Sequence, residues 1–206
     1  MPKEKEVKEK GSTISLHHRI KLIGKDGKVK YDSGEKKSDS FVKGFITSLM
    51  NLMSDGGITT NIYVDRGGVT RSGITKASWA TSNIPVGFVA PASFDTYGII
   101  IGTGNTPVTA SDIDLDTPID DGVAAGEMSH GAQTFVDVVE NGANLDLSWS
   151  RSFSNSSGDT ITIAEIGGGI LVSGYRILIL RDVLGVPVAV GDGEVIVVEY
   201  IWRTAV

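Results

Sequence analysis

A chain of 206 residues with 40% hydrophobic and 21% charged residues has the composition of a folded domain, not a disordered one. It has no cysteine, which excludes disulfide staples and thiolate metal sites, and its 26 glycines call for many turns. The formal net charge of −6 is uneven: residues 1–43 hold twelve Lys/Arg against seven Asp/Glu (+5), and the remainder holds seven against eighteen (−11).

The opening MPKEKEVKEKGS interleaves Lys3, Lys5, Lys8 and Lys10 with Glu4, Glu6 and Glu9. That alternation weakens the local positive field that phosphate binding needs, so nucleic acid is not the expected partner. Residues 1–12 read as a flexible charged arm suited to a neighbouring subunit. The stretch has no apolar core of the kind a secretory signal carries, and synthesis in the cytoplasm is expected. No apolar run reaches the ~18–20 residues that span a bilayer. The longest, GYRILILRDVLGVPVAV, is broken by Arg176, Arg181, Asp182 and Pro187.

The rest, residues 13–206, reads as one domain. From Thr13 to Ile23 the chain alternates partly as a strand does, and Asp26-Gly27 marks a hairpin leading back through VKYDS. The period then changes. SDSFVKGFITSLMNLMSDGG sets Phe41, Val42, Phe45, Ile46, Leu49, Met50, Leu52 and Met53 at spacings of three and four. This predicts one amphipathic helix over about residues 40–54, with Ser38 or Ser40 as N-cap and Gly56-Gly57 as its stop. Its stripe of Phe41, Phe45, Leu49 and Met53 is the candidate interface, against a sheet or a neighbouring subunit.

Between Ile58 and Ala92 short strands with frequent breaks are expected: ITTNIYV, VTR and IPVGFVA. TYGIIIGTG, at 96–104, is a nearly continuous apolar strand ended by glycines. Residues 103–132 form the longest irregular segment, rich in Thr, Asp, Gly and Pro, and such loops often carry contacts. From Gln133 onward, runs dense in Val, Ile, Thr, Tyr and Phe alternate with Gly-, Asn-, Asp- and Ser-bearing turns. Short strands at that spacing are the mark of an antiparallel sandwich or barrel. The predicted fold is mainly β, an antiparallel, jelly-roll-like sandwich with one helix.

Chemistry-bearing patterns are sparse. Asp112, Asp114 and Asp116 stand at alternate positions, as the first ligands of a calcium loop often do. The sixth position is Thr117 instead of Gly and the twelfth is Val123 instead of Glu, so the helix–loop–helix match fails; a wet strand face is the other reading. GTGNTP, at 102–107, lacks the GK[ST] ending of a phosphate loop. His17 and His18 would point to opposite faces of a strand and cannot share a metal. Ser129, His130 and Gly131 read as a loop tripeptide, and there is no G-x-S-x-G elbow. Asn155-Ser156-Ser157 reads as a side-chain-bonded turn. Trp79, Trp149 and Trp202 are dispersed, as core or interface anchors tend to be. No cofactor and no catalytic residue is indicated.

The ordered words GKDGKVKYDSGEKKSDSFVKGFITSLMNLM, YGIIIGTGNTPVTASDIDLDTPID, SFSNSSGDTITIAEIGGG, ILILRDV and DGEVIVVEYIW together resemble small structural proteins of tailed bacterial and archaeal viruses, over most of residues 20–205. The chain departs from that pattern at Gly167, Gly168 and Gly169, where a longer aliphatic or aromatic stretch is usual, which leaves the strand pairing there open. The resemblance implies a non-enzymatic subunit located in the virion, in the tail, on the head or with the capsid. Copies of itself and other virion proteins would be its partners. The alternative is a receptor- or glycan-binding module that uses the 103–132 loop against a host surface.

Overall fold

The computed structural model describes residues 13–38, 40–53, 63–71, 87–172 and 174–205. The expected N-terminal arm, the Gly56-Gly57 helix stop and Trp79 all lie outside the described residues. The elements in chain order are β1 (Thr13–Ile23), β2 (Val29–Asp32), β3 (Lys36–Ser38), α1 (Lys43–Met53), β4 (Tyr63–Val64), β5 (Thr70–Arg71), β6 (Gly98–Gly102), β7 (Ser129–His130), β8 (Thr134–Asn141), β9 (Asn144–Ser154), β10 (Ile161–Val172), β11 (Tyr175–Val190) and β12 (Val195–Ala205). No helix among the described residues is long and apolar enough to cross a membrane.

The period-2 alternation in β1, β9 and β12 builds one face of a seven-stranded antiparallel sheet. Its order is β2–β1–β12–β9–β7, with β3 also paired to β1 and β8 to β9. Register aligns the inward residues in rows: Leu22, Ile196 and Phe153; Ile20, Val198 and Arg151; His18, Tyr200 and Trp149; Leu16, Trp202 and Leu147. A slip of one residue would turn every one of these rows toward solvent, so the pattern fixes the register. The β1–β2 turn forms at Asp26-Gly27 as the sequence indicates, with Gly27 at φ 74°.

The second sheet, β11–β10–β6, packs its apolar residues into the same core: Ile99 and Ile101 of β6, Ile163 and Ile166 of β10, and Ile177 and Leu180 of β11 join Leu16, Phe153 and Val198. Each such side chain contributes about 1.5–3 kcal/mol on burial. The described molecule is thus mainly β, layered and antiparallel. Among the described residues its strands divide seven, three and two, the last being the separate β4–β5 pair.

The pairing left open at the glycine triplet is resolved here, and one expectation is corrected. Gly167, Gly168 and Gly169 pair with Arg181, Leu180 and Leu178 on one side, with a register shift between Gly168 and Gly169, and with Ile100, Ile99 and Gly98 on the other. Glycine is needed because a Cβ at Gly168 would stand 2.8 Å from the Phe88 ring, and one at Gly167 2.8 Å from Leu115.

The helix starts at Lys43, three residues later than the expected Ser40. Ser38 and Ser40 do not cap it; their hydroxyls donate to the buried Asp182. The intervening backbone adds to β11 instead, Val42 N–H to Ile179 O and Arg181 N–H to Ser40 O. Gly44 then brings α1 against the sheet so closely that a Cβ there would lie 2.1 Å from Leu178 O.

Candidate functional site

The 103–132 loop is organised by a carboxylate that arrives from the sheet. Glu165 on β10 is fully buried, and its oxygens accept the backbone N–H groups of Gly104, Asp116 and Thr117. Converging N–H groups of this kind make an anion site. Here the anion belongs to the chain itself, so the glycine-rich GTGNTP segment is committed to Glu165. Arg181 on β11 neutralises it, donating from Nε to Glu165 at 2.9 Å and from Nη1 to Asp112 at 2.6 Å, while Nη2 reaches Thr106 O at 3.1 Å. Burial opposes the Arg181 charge, but Asp112 and Glu165 hold its pKa above the ordinary value. The Asp112 carboxyl, though partly desolvated, is held below its usual range by Thr109 and Arg181.

The structure therefore separates the alternating aspartates. Asp112 pairs with Arg181, and Asp114 with Arg66 at 2.6 Å, while Asp116 presents its backbone N–H to Glu165. Among the described residues no group of three His, Asp or Glu side chains is placed to hold a metal ion. The alternation reflects two arginine partners on different elements.

A second buried cation, Arg151 on β9, is in salt-bridge contact with no carboxylate among the described residues. Its guanidinium donates to five carbonyls: Gly131 from Nε, Tyr97 and Ile99 from Nη1, and Pro91 and Phe94 from Nη2. Burial lowers its pKa to about 10. Beside it, His130 lies in a strand, β7, and not in the loop that its sequence suggested, because the 129–130 segment pairs with Ser154 and Phe153. The residue is 2% exposed, neither ring nitrogen makes a hydrogen bond of good geometry among the described residues, and burial followed by the Arg151 charge pushes its pKa to about 4.

Part of the same loop walls a polar cavity of about 550 Å³. Arg66, Arg71 and Arg176 meet Asp95, Asp114 and Asp120 there. Arg66 is fixed by Asp114 and by the carbonyls of Asp95 and Thr96. Arg71 lies 4.4 Å over the Tyr175 ring and also bonds Asp65. The arrangement offers charged donors and acceptors side by side, chemistry that suits a hydroxyl-rich ligand.

Of the candidate interface residues, Phe41 and Phe45 stack at 4.0 Å and both meet Trp202 edge-on. They are spent on the chain's own aromatic cluster, which runs on through Trp149 to Phe88 and Phe135. Leu49, 41% exposed, borders an apolar groove of about 280 Å³ beside Trp149 and Trp202. The Met53 side chain lies outside the described residues.

The β-rich run from Gln133 forms a strand as expected, β8, but its complete exposure is a feature that sequence inspection missed. All eight of its residues are exposed, and among the described residues β9 is its only strand partner. Phe135, Val136, Val138 and Val139 all present apolar surface to solvent. A visible sign was there, because in TFVDVVE apolar residues crowd both faces of a strand instead of alternating cleanly. Asn155, by contrast, is placed as expected: its Oδ1 accepts the N–H and hydroxyl of Ser157 to close a turn. Compared with protein-family models, curated proteins and solved structures, the chain matches none.

Proposed function

We propose that the chain is a non-enzymatic structural subunit of a viral particle, in its tail, on its head or associated with its capsid, which assembles with copies of itself and with other virion proteins. The viral assignment rests on the ordered sequence words given above. The assembling role rests on one observation, the fully exposed and apolar edge strand β8. Such an edge is an aggregation hazard in a lone molecule and a docking rail in an ordered array, where a neighbour supplies the missing ladder. Sizing of the purified full chain followed by negative-stain microscopy tests this. Rings, tubes or other defined oligomers are expected, and a strict monomer at high concentration overturns it.

A second function, recognition of a host-surface glycan, is supported by the polar cavity. Its volume falls within the ~300–1,000 Å³ of ligand sites, and it joins arginines to carboxylates beside the Tyr175 ring. A glycan array probed with the intact protein should give hits that disappear in Asp114→Asn. An array without hits removes this function and leaves the structural role standing.

A further inference from the structure

We propose that the polar cavity takes an uncharged sugar, and that Arg176 and Asp120 are the two groups that bind its hydroxyls. This rests on the glycan-recognition function given above and adds the ligand class and the residues that select it.

The charges of the cavity divide into those the chain has already paired and those it has not. Arg66 is held by Asp114 and by two backbone carbonyls, and Arg71 donates from Nε to Asp65 at 2.7 Å. Asp65 is committed further, since its Oδ1 also accepts the N–H groups of Gly67 and Val69. These two pairs are fixed walls. Arg176 and Asp120 line the same cavity, and both are exposed. Among the described residues neither side chain forms a hydrogen bond or an ion pair, and they do not bond each other.

The cavity thus keeps one obligate donor and one obligate acceptor in reserve. A guanidinium only donates hydrogen bonds, and an ionised carboxylate only accepts them. The ligand group that serves both is one that donates and accepts at once, a hydroxyl. A sugar carboxylate or sulfate only accepts, so it suits Arg176 and is set against Asp120. An ammonium only donates, so it suits Asp120 and is set against Arg176. Like charges brought together in a site discriminate against the wrong ligand. The lining as a whole holds three guanidiniums and four carboxylates, a near balance that favours neither sign strongly. Water obeys the same hydrogen-bonding rule, but neighbouring hydroxyls on a sugar ring arrive already fixed relative to each other, which lowers the cost of ordering them.

The test uses the full chain and immobilised polymers of known charge: dextran, mannan and galactan, which are neutral, alginate and polysialic acid, which are acidic, and chitosan, which is basic. Biolayer interferometry reads binding by the parent chain and by Asp120→Ala and Arg176→Ala. Each variant changes an exposed side chain with no described partner to lose, so the fold is retained. The expected result is binding to a neutral polymer that weakens about tenfold or more in each variant. That binding should change little between low and high salt, because no net charge is neutralised. Binding confined to the acidic polymers or to chitosan, and lost in Asp114→Asn, overturns the uncharged class while sparing the glycan function. Neutral binding that either alanine variant leaves unchanged overturns the proposal in the same way. No binding to any of the polymers overturns both.

Discussion

Arg181 Nε donates to Glu165 Oε2 at 2.9 Å between adjacent strands, with side chains 3% and 0% exposed. The pair ties the second sheet to the 103–117 segment, because the same carboxylate collects three loop N–H groups. A buried ion pair is weak support for stability as such, yet removing one partner strands the other charge.

Glu165→Gln should therefore lower stability by about 3–5 kcal/mol. Amide exchange should accelerate at Gly104, Asp116 and Thr117 before the sheet itself opens. Asp112→Asn, at the more exposed end of Arg181, should cost only about 1 kcal/mol. Chemical denaturation with exchange mass spectrometry reads both, and equal costs for the two variants would contradict the central place given to Glu165.

Arg151→Lys keeps the charge but reduces five donors to three. At least two of the five carbonyls at Gly131, Tyr97, Ile99, Pro91 and Phe94 then lose their donor. At about 1–3 kcal/mol for each unsatisfied buried group, the loss should be about 2 kcal/mol or more. A urea midpoint equal to that of the parent chain would count against this.

Gly44→Ala should separate α1 from β11, since the new methyl would stand 2.1 Å from Leu178 O. A cost of about 1–3 kcal/mol is expected, as for other overpacked sites. Trp202 fluorescence should change too, because Phe45 on the same helix packs against it. The half-buried Thr47→Ala on α1, away from that contact, should cost less, about 0.5 kcal/mol.

His130 makes stability depend on pH. Its folded pKa is lowered from 6.5 to about 4, so between those values the unfolded chain binds the extra proton and the folded chain does not. Stability is fully present above about pH 6.5 and falls as pH drops toward 4, by about 3 kcal/mol if the whole shift is expressed. The lowered pKa of His18, buried against Tyr200 and opposed in part by Asp182, acts in the same direction. His130→Leu removes the titrating ring and should flatten the slope in that window. An unchanged slope in thermal melts would contradict it.

Much of the architecture was legible because strand periodicity and turn residues are local. The β1–β2 hairpin, the apolar β6 and the Asn155 turn each follow from neighbours in sequence. The helix boundary was misplaced because Ser38 and Ser40 serve Asp182, a residue over 140 positions away, and a capping signal cannot reveal such a competitor. The pairing of the aspartate row at 112–116 was hidden for the same reason, since its arginine partners lie at 66 and 181. Glu165 and Arg181 did leave a sign, charges inside the apolar runs ITIAEIGGGIL and ILILRDVL that call for buried partners. The open edge left only the apolar crowding of TFVDVVE as a local sign; its place in the sheet depends on β12 inserting between β1 and β9, pairings between segments far apart in the chain.

Hydrogen exchange at residues 134–141, followed from dilute to concentrated protein, tests the assembling role most directly. Exposed β8 amides should exchange rapidly in the dilute chain and gain strong protection as particle mass rises. Mass that grows while β8 exchange stays fast, or a mass that never grows, would contradict the account.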